Sequence, residues 1–191
     1  MNLYQLRDSM KMLLMESRYI HSVGVEEVSF DLALIHGYDT YKASIAGILH
    51  DCARNKSDQE LIEMCNHYNL PVSEIEKECA FLLHGKVGAT IARELFDVQE
   101  DEILNAIIFH TTGKPAMTLL EKIIFTADYI EPNRKPLPRI DMIREAAYQN
   151  LDYAVYMILE NTITYLNDTG AVMDTLTVDT YDYYKTVLQK K

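Results

Sequence analysis

Glycine and proline are scarce in this chain, seven and five residues in 191, so long disordered linkers are not expected. Cysteine is scarcer. Cys52, Cys65 and Cys79 are odd in number and form no C-x-x-C pair, which argues against a disulfide framework and predicts reduced thiols in a cytoplasmic protein. Positive charge is also in short supply: 18 Lys and Arg face 29 Asp and Glu, for a net charge of −11. That argues against a general nucleic-acid binder, whose affinity rests on many cationic contacts to phosphate. A small phosphorylated ligand is still allowed, because local charge in a cleft can oppose the global sign. No stretch approaches the ~18 consecutive apolar residues of a membrane span. The N-terminal "MNLYQLRDSMKMLLMESRY" has interspersed charges and no small-residue cleavage site, unlike a signal peptide.

What is present is helical spacing almost everywhere. In "LYQLRDSMKMLL" the residues Leu3, Leu6, Met10, Leu13 and Leu14 recur at three- and four-residue steps. No segment sustains the two-residue alternation of a strand. Ser57 with Glu60, Ser73 with Glu76, and Thr118 with Glu121 fit the capping box that opens a helix. Asp39 is placed to cap "TYKASIAGILHDCA". Gly37, Gly85, Gly113 and Gly170 follow periodic runs, as glycines beyond helix ends do. The reading is an all-α chain of about ten helices, near residues 2–16, 18–35, 40–53, 58–67, 73–83, 86–96, 100–111, 118–130, 138–149 and 151–168, with a last one near 180–189. "AVMDTLTVD", short and threonine-rich, is expected to be extended or loop.

Six histidines punctuate the chain. His36 and His67 sit where helices end, an ordinary surface position favoured by the helix dipole. Others follow apolar helical runs that should face the core: His50 and Asp51 after "IAGIL", His84 after "CAFLL", His110 after "LNAIIF" and Asp128 after "KIIFTA". His21, in "RYIHSVGV", is the candidate first member of the set. Buried imidazoles and carboxylates need mutual partners or a metal. This donor chemistry suits Fe, Mn, Co, Ni or Zn, and the lack of thiolate disfavours a structural zinc site. His21, His50, Asp51, His84, His110 and Asp128 are too many donors for one ion that keeps positions open. They suit two ions sharing a carboxylate. Neighbouring helical residues diverge by about 100°, so Asp51 can reach a second ion while His50 serves the first, and Asp51 is assigned as the bridge.

The ordered pattern H…HD…H…H…D resembles the HD-domain metal phosphohydrolase superfamily, in which His84 and His110 correspond to the pair that dinuclear members add. The segments "RYIHSVGV", "GILHDCAR", "LLHGKVGA", "IIFHTTGK" and "KIIFTADYIEPNR" together resemble the bacterial HD-domain symmetrical bis(5′-nucleosyl)-tetraphosphatases, over roughly residues 15–180. The resemblance implies a single HD domain over residues 1–191, a helical bundle around a dinuclear site, with a metal-site core at about 18–135 and helices at about 138–190 completing it. It implies two divalent ions, iron first, with manganese, cobalt or zinc as alternatives. The implied activity is hydrolysis of diadenosine tetraphosphate into two ADP, by a metal-activated hydroxide attacking an inner phosphorus. Asp51, His84, His110 and Asp128 carry the catalytic assignment.

Cations must meet the polyphosphate. Arg18 is three residues before His21 on one helix face. Lys86 follows His84 at an expected helix N-terminus with free N–H groups. Arg134 lies in the loop after Asp128, where a guanidinium can grip phosphate. Arg54 and Lys114 are weaker candidates. His21, His110 and Thr111 complete the phosphate side, with Thr112 beside them. Thr175, in "TLTVDTY", with Tyr19 and Tyr129, is assigned to the nucleoside. The expected ligand is a dinucleoside polyphosphate or purine nucleotide, with no nucleic acid and no membrane; a homodimer is left open. Rival readings are another HD-type nucleotide phosphohydrolase (nucleotidase, deoxynucleotide hydrolase or phosphodiesterase), an HD-type di-iron oxygenase, and a non-catalytic nucleotide sensor.

Overall fold

A computed structural model describes residues 2–190. Among them are eleven α-helices, one short 3-10 turn and no strand. The first six helices are α1 (Leu3–Leu13), α2 (Glu16–His36), α3 (Thr40–Leu49), α4 (Asp58–His67), α5 (Glu74–Glu78) and α6 (His84–Phe96), with the 3-10 turn Ala80–Leu83 leading into α6. The rest are α7 (Asp101–Phe109), α8 (Leu119–Ile130), α9 (Ile140–Gln149), α10 (Leu151–Thr169) and α11 (Thr175–Gln189). No helix among the described residues is long and apolar enough to cross a membrane.

Local chemistry accounts for most boundaries. All three expected capping boxes form, at Ser57, Ser73 and Thr118, each satisfying two otherwise orphaned N–H groups. Asp39 accepts from the Tyr41 and Lys42 amides at the start of α3. Gly37 and Gly170 end α2 and α10 in the left-handed conformation, at φ 72° and 65°.

Several boundaries differ from the sequence reading. The helix expected over 40–53 stops at Leu49, and three-residue turn bonds (Cys52 N to Leu49 O, Arg54 N to Asp51 O) carry the chain onward. His50 and Asp51 thus sit on a tight turn at the helix end. The helix expected over 73–83 breaks at Cys79, whose φ of −131° is not helical. Gly85 does not cap a helix; it lies in the first turn of α6, which begins at His84. The last helix begins at Thr175, not near 180, with Asp174 as its cap. "TLTVD" is helical because tertiary packing overrides a weak threonine propensity: Thr177 and Thr180 are buried, and Thr180 Oγ1 donates to Leu176 O at 2.5 Å.

One continuous hydrophobic cluster runs through the described residues. α2 packs on α3 and α8, α7 pairs with α6 and α8, and α10 closes over α8, α9 and α11. Leu32, Ile48, Ile107, Ile123 and Ile124 are fully buried where these helices meet. Each such side chain stabilises the fold by roughly 1.5–3 kcal/mol. This scaffold brings the second turn of α2, the ends of α3 and α7, the start of α6 and the last turns of α8 to one point.

Candidate metal centre

All four histidines expected at the centre have Nδ1 engaged and Nε2 turned inward. His50 Nδ1 donates to Gly47 O at 2.7 Å, His84 Nδ1 to Phe81 O at 2.5 Å, and His110 Nδ1 to Ile107 O at 2.7 Å. In each case the acceptor is the carbonyl three residues back, so a helix or turn end orients its own histidine. His21 sits mid-helix, where the backbone carbonyls are used. Its Nδ1 is instead 3.0 Å from Oε1 of Glu131, a carboxylate only 1% exposed. Glu131 Oε2 accepts from the Asn133 amide at 2.7 Å. Gly24, one turn after His21, leaves the space: a Cβ there would lie 2.5 Å from Glu131 Oε2.

The inward atoms form two groups that share Asp51. His21, His50 and Asp51 make one, and Asp51, His84 and His110 the other. Asp51 Oδ2 faces His50 Nε2 at 3.3 Å and His21 Nε2 at 3.7 Å, while Oδ1 faces His84 at 3.4 Å and His110 at 3.6 Å. Asp128 joins the first group, with Oδ1 2.9 Å from His21 Nε2 and 3.8 Å from His50 Nε2. His50, Asp51, His84 and His110 are at most 3% exposed. Close approach of α6 to α7 builds the second group: a Cβ on Gly85 would come within 2.6 Å of Ile108 O. His84 and His110 consequently bring their Nε2 atoms to 3.0 Å.

The donor set fits divalent metal. Nε2 of His21 and of His50 are buried and face carboxylate oxygens, Asp128 Oδ1 at 2.9 Å and Asp51 Oδ2 at 3.3 Å, with no other polar partner among the described residues. Buried polar atoms are normally paired. Imidazole nitrogens fixed by a carboxylate or carbonyl behind them are the usual form of metal-ligating histidine. Donors of this type suit transition-metal cations.

Electrostatics differ from ring to ring: burial opposes a charged His110, but Asp51 and Asp128 raise it. Burial works against ionised Asp51, but His50, His110 and His84 hold its carboxyl well below the ordinary range. Asp128 is lowered in the same way, with Arg134 the main opponent of burial. Burial pulls His21 down, yet Asp128, Glu131 and Asp51 together push it up to about 9. His84 is lowered to about 4 by its burial and by neighbouring His110.

A cleft of about 340 Å³ opens onto the cluster. Arg18, Arg54 and Arg134 line it, with Phe81, Phe125, Tyr129 and Thr111. Arg18 contacts Asp51 Oδ2 at 2.8 Å, Arg134 contacts Asp128 Oδ1 at 2.6 Å, and the Arg54 guanidinium lies over the Phe81 ring at 4.2 Å. Thr111 Oγ1 is 3.0 Å from His110 Nε2 and 3.3 Å from His84 Nε2. Other assigned residues lie elsewhere. Lys86 is outside this cleft, paired with Glu76 at 2.6 Å and donating to Pro71 O, so it is not a free cation at a helix end. Thr175 is exposed, and neither it nor Tyr19 lines the cleft. Lys114 pairs with buried Glu121 at 3.1 Å.

Sequence reasoning missed Glu131 and the α10 wall of Ile158, Thr162, Tyr165 and Leu166. A signal for Glu131 existed, since it ends the apolar run "KIIFTADYIE" three residues after Asp128. Nothing local marks α10, which reaches the cleft only through packing.

A helical bundle with this split His/Asp centre defines a class, and the comparisons agree: the HD domain matches residues 18–133, and the chain belongs to that family. Particular relatives are similar over most of their length. The chain is 43% identical to the symmetrical bis(5′-nucleosyl)-tetraphosphatase of Halalkalibacterium halodurans, covering 80% of this chain and 81% of the relative. It is 36% identical to the protein of that name from Staphylococcus aureus, covering 96% and 95%. Among solved structures, a Clostridium acetobutylicum protein described as a predicted HD superfamily hydrolase involved in NAD metabolism superposes with a TM-score of 0.93. Its identity is 37%, over 100% of this chain and 99% of that one.

Proposed function

We propose that the protein is a symmetrical dinucleoside tetraphosphatase, hydrolysing diadenosine tetraphosphate to two ADP in the cytoplasm with two bound ions, iron first. The carrying observation is the pair of buried donor groups that share Asp51 beneath a cleft with three arginines. His21, His50, Asp51 and Asp128 would hold one ion, and Asp51, His84 and His110 the other. When bound, such ions acidify water and neutralise phosphate charge.

The chain's own residues supply the rest. One water is consumed, the central P–O–P bond breaks, and each half leaves as ADP. Arg18, Arg54 and Arg134 offset the phosphate charge that an acidic protein would otherwise repel. Arg18 and Arg134 also touch the ligand carboxylates, so they link metal site and substrate. The Thr111 hydroxyl, beside both His84 and His110, is placed to donate to a phosphate oxygen. Phe81, Phe125 and Tyr129 give the cleft an aromatic wall against which a base can pack.

Iron-loaded protein incubated with mono- and dinucleoside polyphosphates tests the reading. Diadenosine tetraphosphate should yield ADP alone; AMP plus ATP would contradict the symmetric cut. Metal analysis should find about two ions per chain.

A further inference from the structure

We propose that a second cleft, between the 3-10 turn, the end of α7 and the start of α11, binds the second nucleoside of the dinucleotide; this rests on the tetraphosphatase reading. The cleft has a volume of about 260 Å³ and shares Thr111 with the main one. Thr111 is the residue whose hydroxyl touches both His84 and His110, so a substrate crossing it passes directly over the second donor group. Two nucleosides joined by four phosphates need more room than the 340 Å³ of the main cleft, near the lower end for a small-molecule pocket.

Charge separates the two spaces. The main cleft holds three guanidinium groups. In the second, Lys86 is the one cation in the lining and is neutralised by Glu76, which leaves Asp174 in excess. Phosphate is disfavoured there, and an uncharged nucleoside is not. Leu82, Ile108, Phe109 and Leu176 provide apolar surface for a base. Asp174 Oδ1 caps α11 by accepting from the Leu176 amide at 2.8 Å, and its Oδ2 makes no hydrogen bond to any described residue. That oxygen is an acceptor for ribose hydroxyls. The segment near Thr175 thus meets the nucleoside through Asp174 and Leu176, not through Thr175 itself.

The test compares diadenosine tetraphosphate with adenosine 5′-tetraphosphate, which carries the same phosphates and one nucleoside. Iron-loaded wild type should show about tenfold higher kcat/KM for the dinucleotide, because remote binding energy is lost with the second nucleoside. Leu176→Trp fills the cleft and should erase that preference, chiefly by raising KM for the dinucleotide. Asp174→Asn keeps an N-cap but removes the charge, and should reduce the preference in a protein of unaltered melting temperature. Equal kcat/KM for the two substrates in wild type, or equal losses on both in the two variants, would overturn the subsite while leaving the tetraphosphatase reading intact. Failure of wild type to cleave the dinucleotide would instead overturn that reading, and the subsite with it.

Discussion

The two halves of the centre share Asp51 and little else. The half around His21 and His50 has a second carboxylate, Asp128, and an orienting carboxylate behind it, Glu131. The half around His84 and His110 has no further carboxylate among its donors, and the Nδ1 atom of each ring is held by a backbone carbonyl. Carboxylates around the first push His21 up to about 9 against its burial; in the second, Asp51 raises His110 against its burial, while burial beside His110 brings His84 down to about 4. The difference teaches that one centre uses two kinds of support. Side-chain support can be removed by a point substitution, whereas carbonyl support is inseparable from the helix end that provides it.

Substitutions can break that comparison in order of severity. Asp51→Ala removes the shared ligand, and should abolish both metal occupancy and hydrolysis while circular dichroism stays helical; retained turnover would remove Asp51 from the mechanism. Asp128→Ala should cost only the first half, lowering metal content from about two ions per chain to about one, as read by elemental analysis. Glu131→Gln leaves every ligand in place and should weaken binding of one ion by about 10–100-fold. Titration of metal into apoprotein should therefore resolve two affinities in the variant where the wild-type sites lie closer together. Gly24→Ala, whose methyl would press on Glu131, should shift the same affinity in the same direction by less. At the small end, Cys52 lies against the centre but outside the chemistry: its thiol is pushed up to about 12, chiefly by burial. Raised above its ordinary value, it is un-ionised at pH 8, and alkylation followed by mass spectrometry should label it only after unfolding.

Much of this was legible before any coordinates. The capping boxes and the end glycines at 37 and 170 follow from interactions within four residues, and they appear where the spacing put them. The six candidate ligands were legible because each placed a polar group at the end of an apolar run, an arrangement that costs free energy unless a partner exists. The structure brings all six together. Less was legible for substrate contacts. Arg18 and Arg134 reach the cleft, but Lys86 pairs with Glu76, a residue 10 positions earlier whose approach no local pattern announced. Thr175 was placed in a loop, and it stands instead on the outer surface of α11's first turn.

By itself the sequence determined the all-helical class, most of the caps and the six inward candidate ligands, since these depend on local hydrogen bonding and on the period of apolar side chains. Only the tertiary structure decided which oxygen of Asp51 faces which pair of histidines, that Glu131 stands behind His21 from 110 residues away, and that α10 walls the cleft. Those facts depend on how closely helices pack. At Gly85 the lack of a side chain lets α6 meet α7, and at Gly24 it leaves room for the Glu131 carboxylate; neither consequence appears until the partner segment is in place.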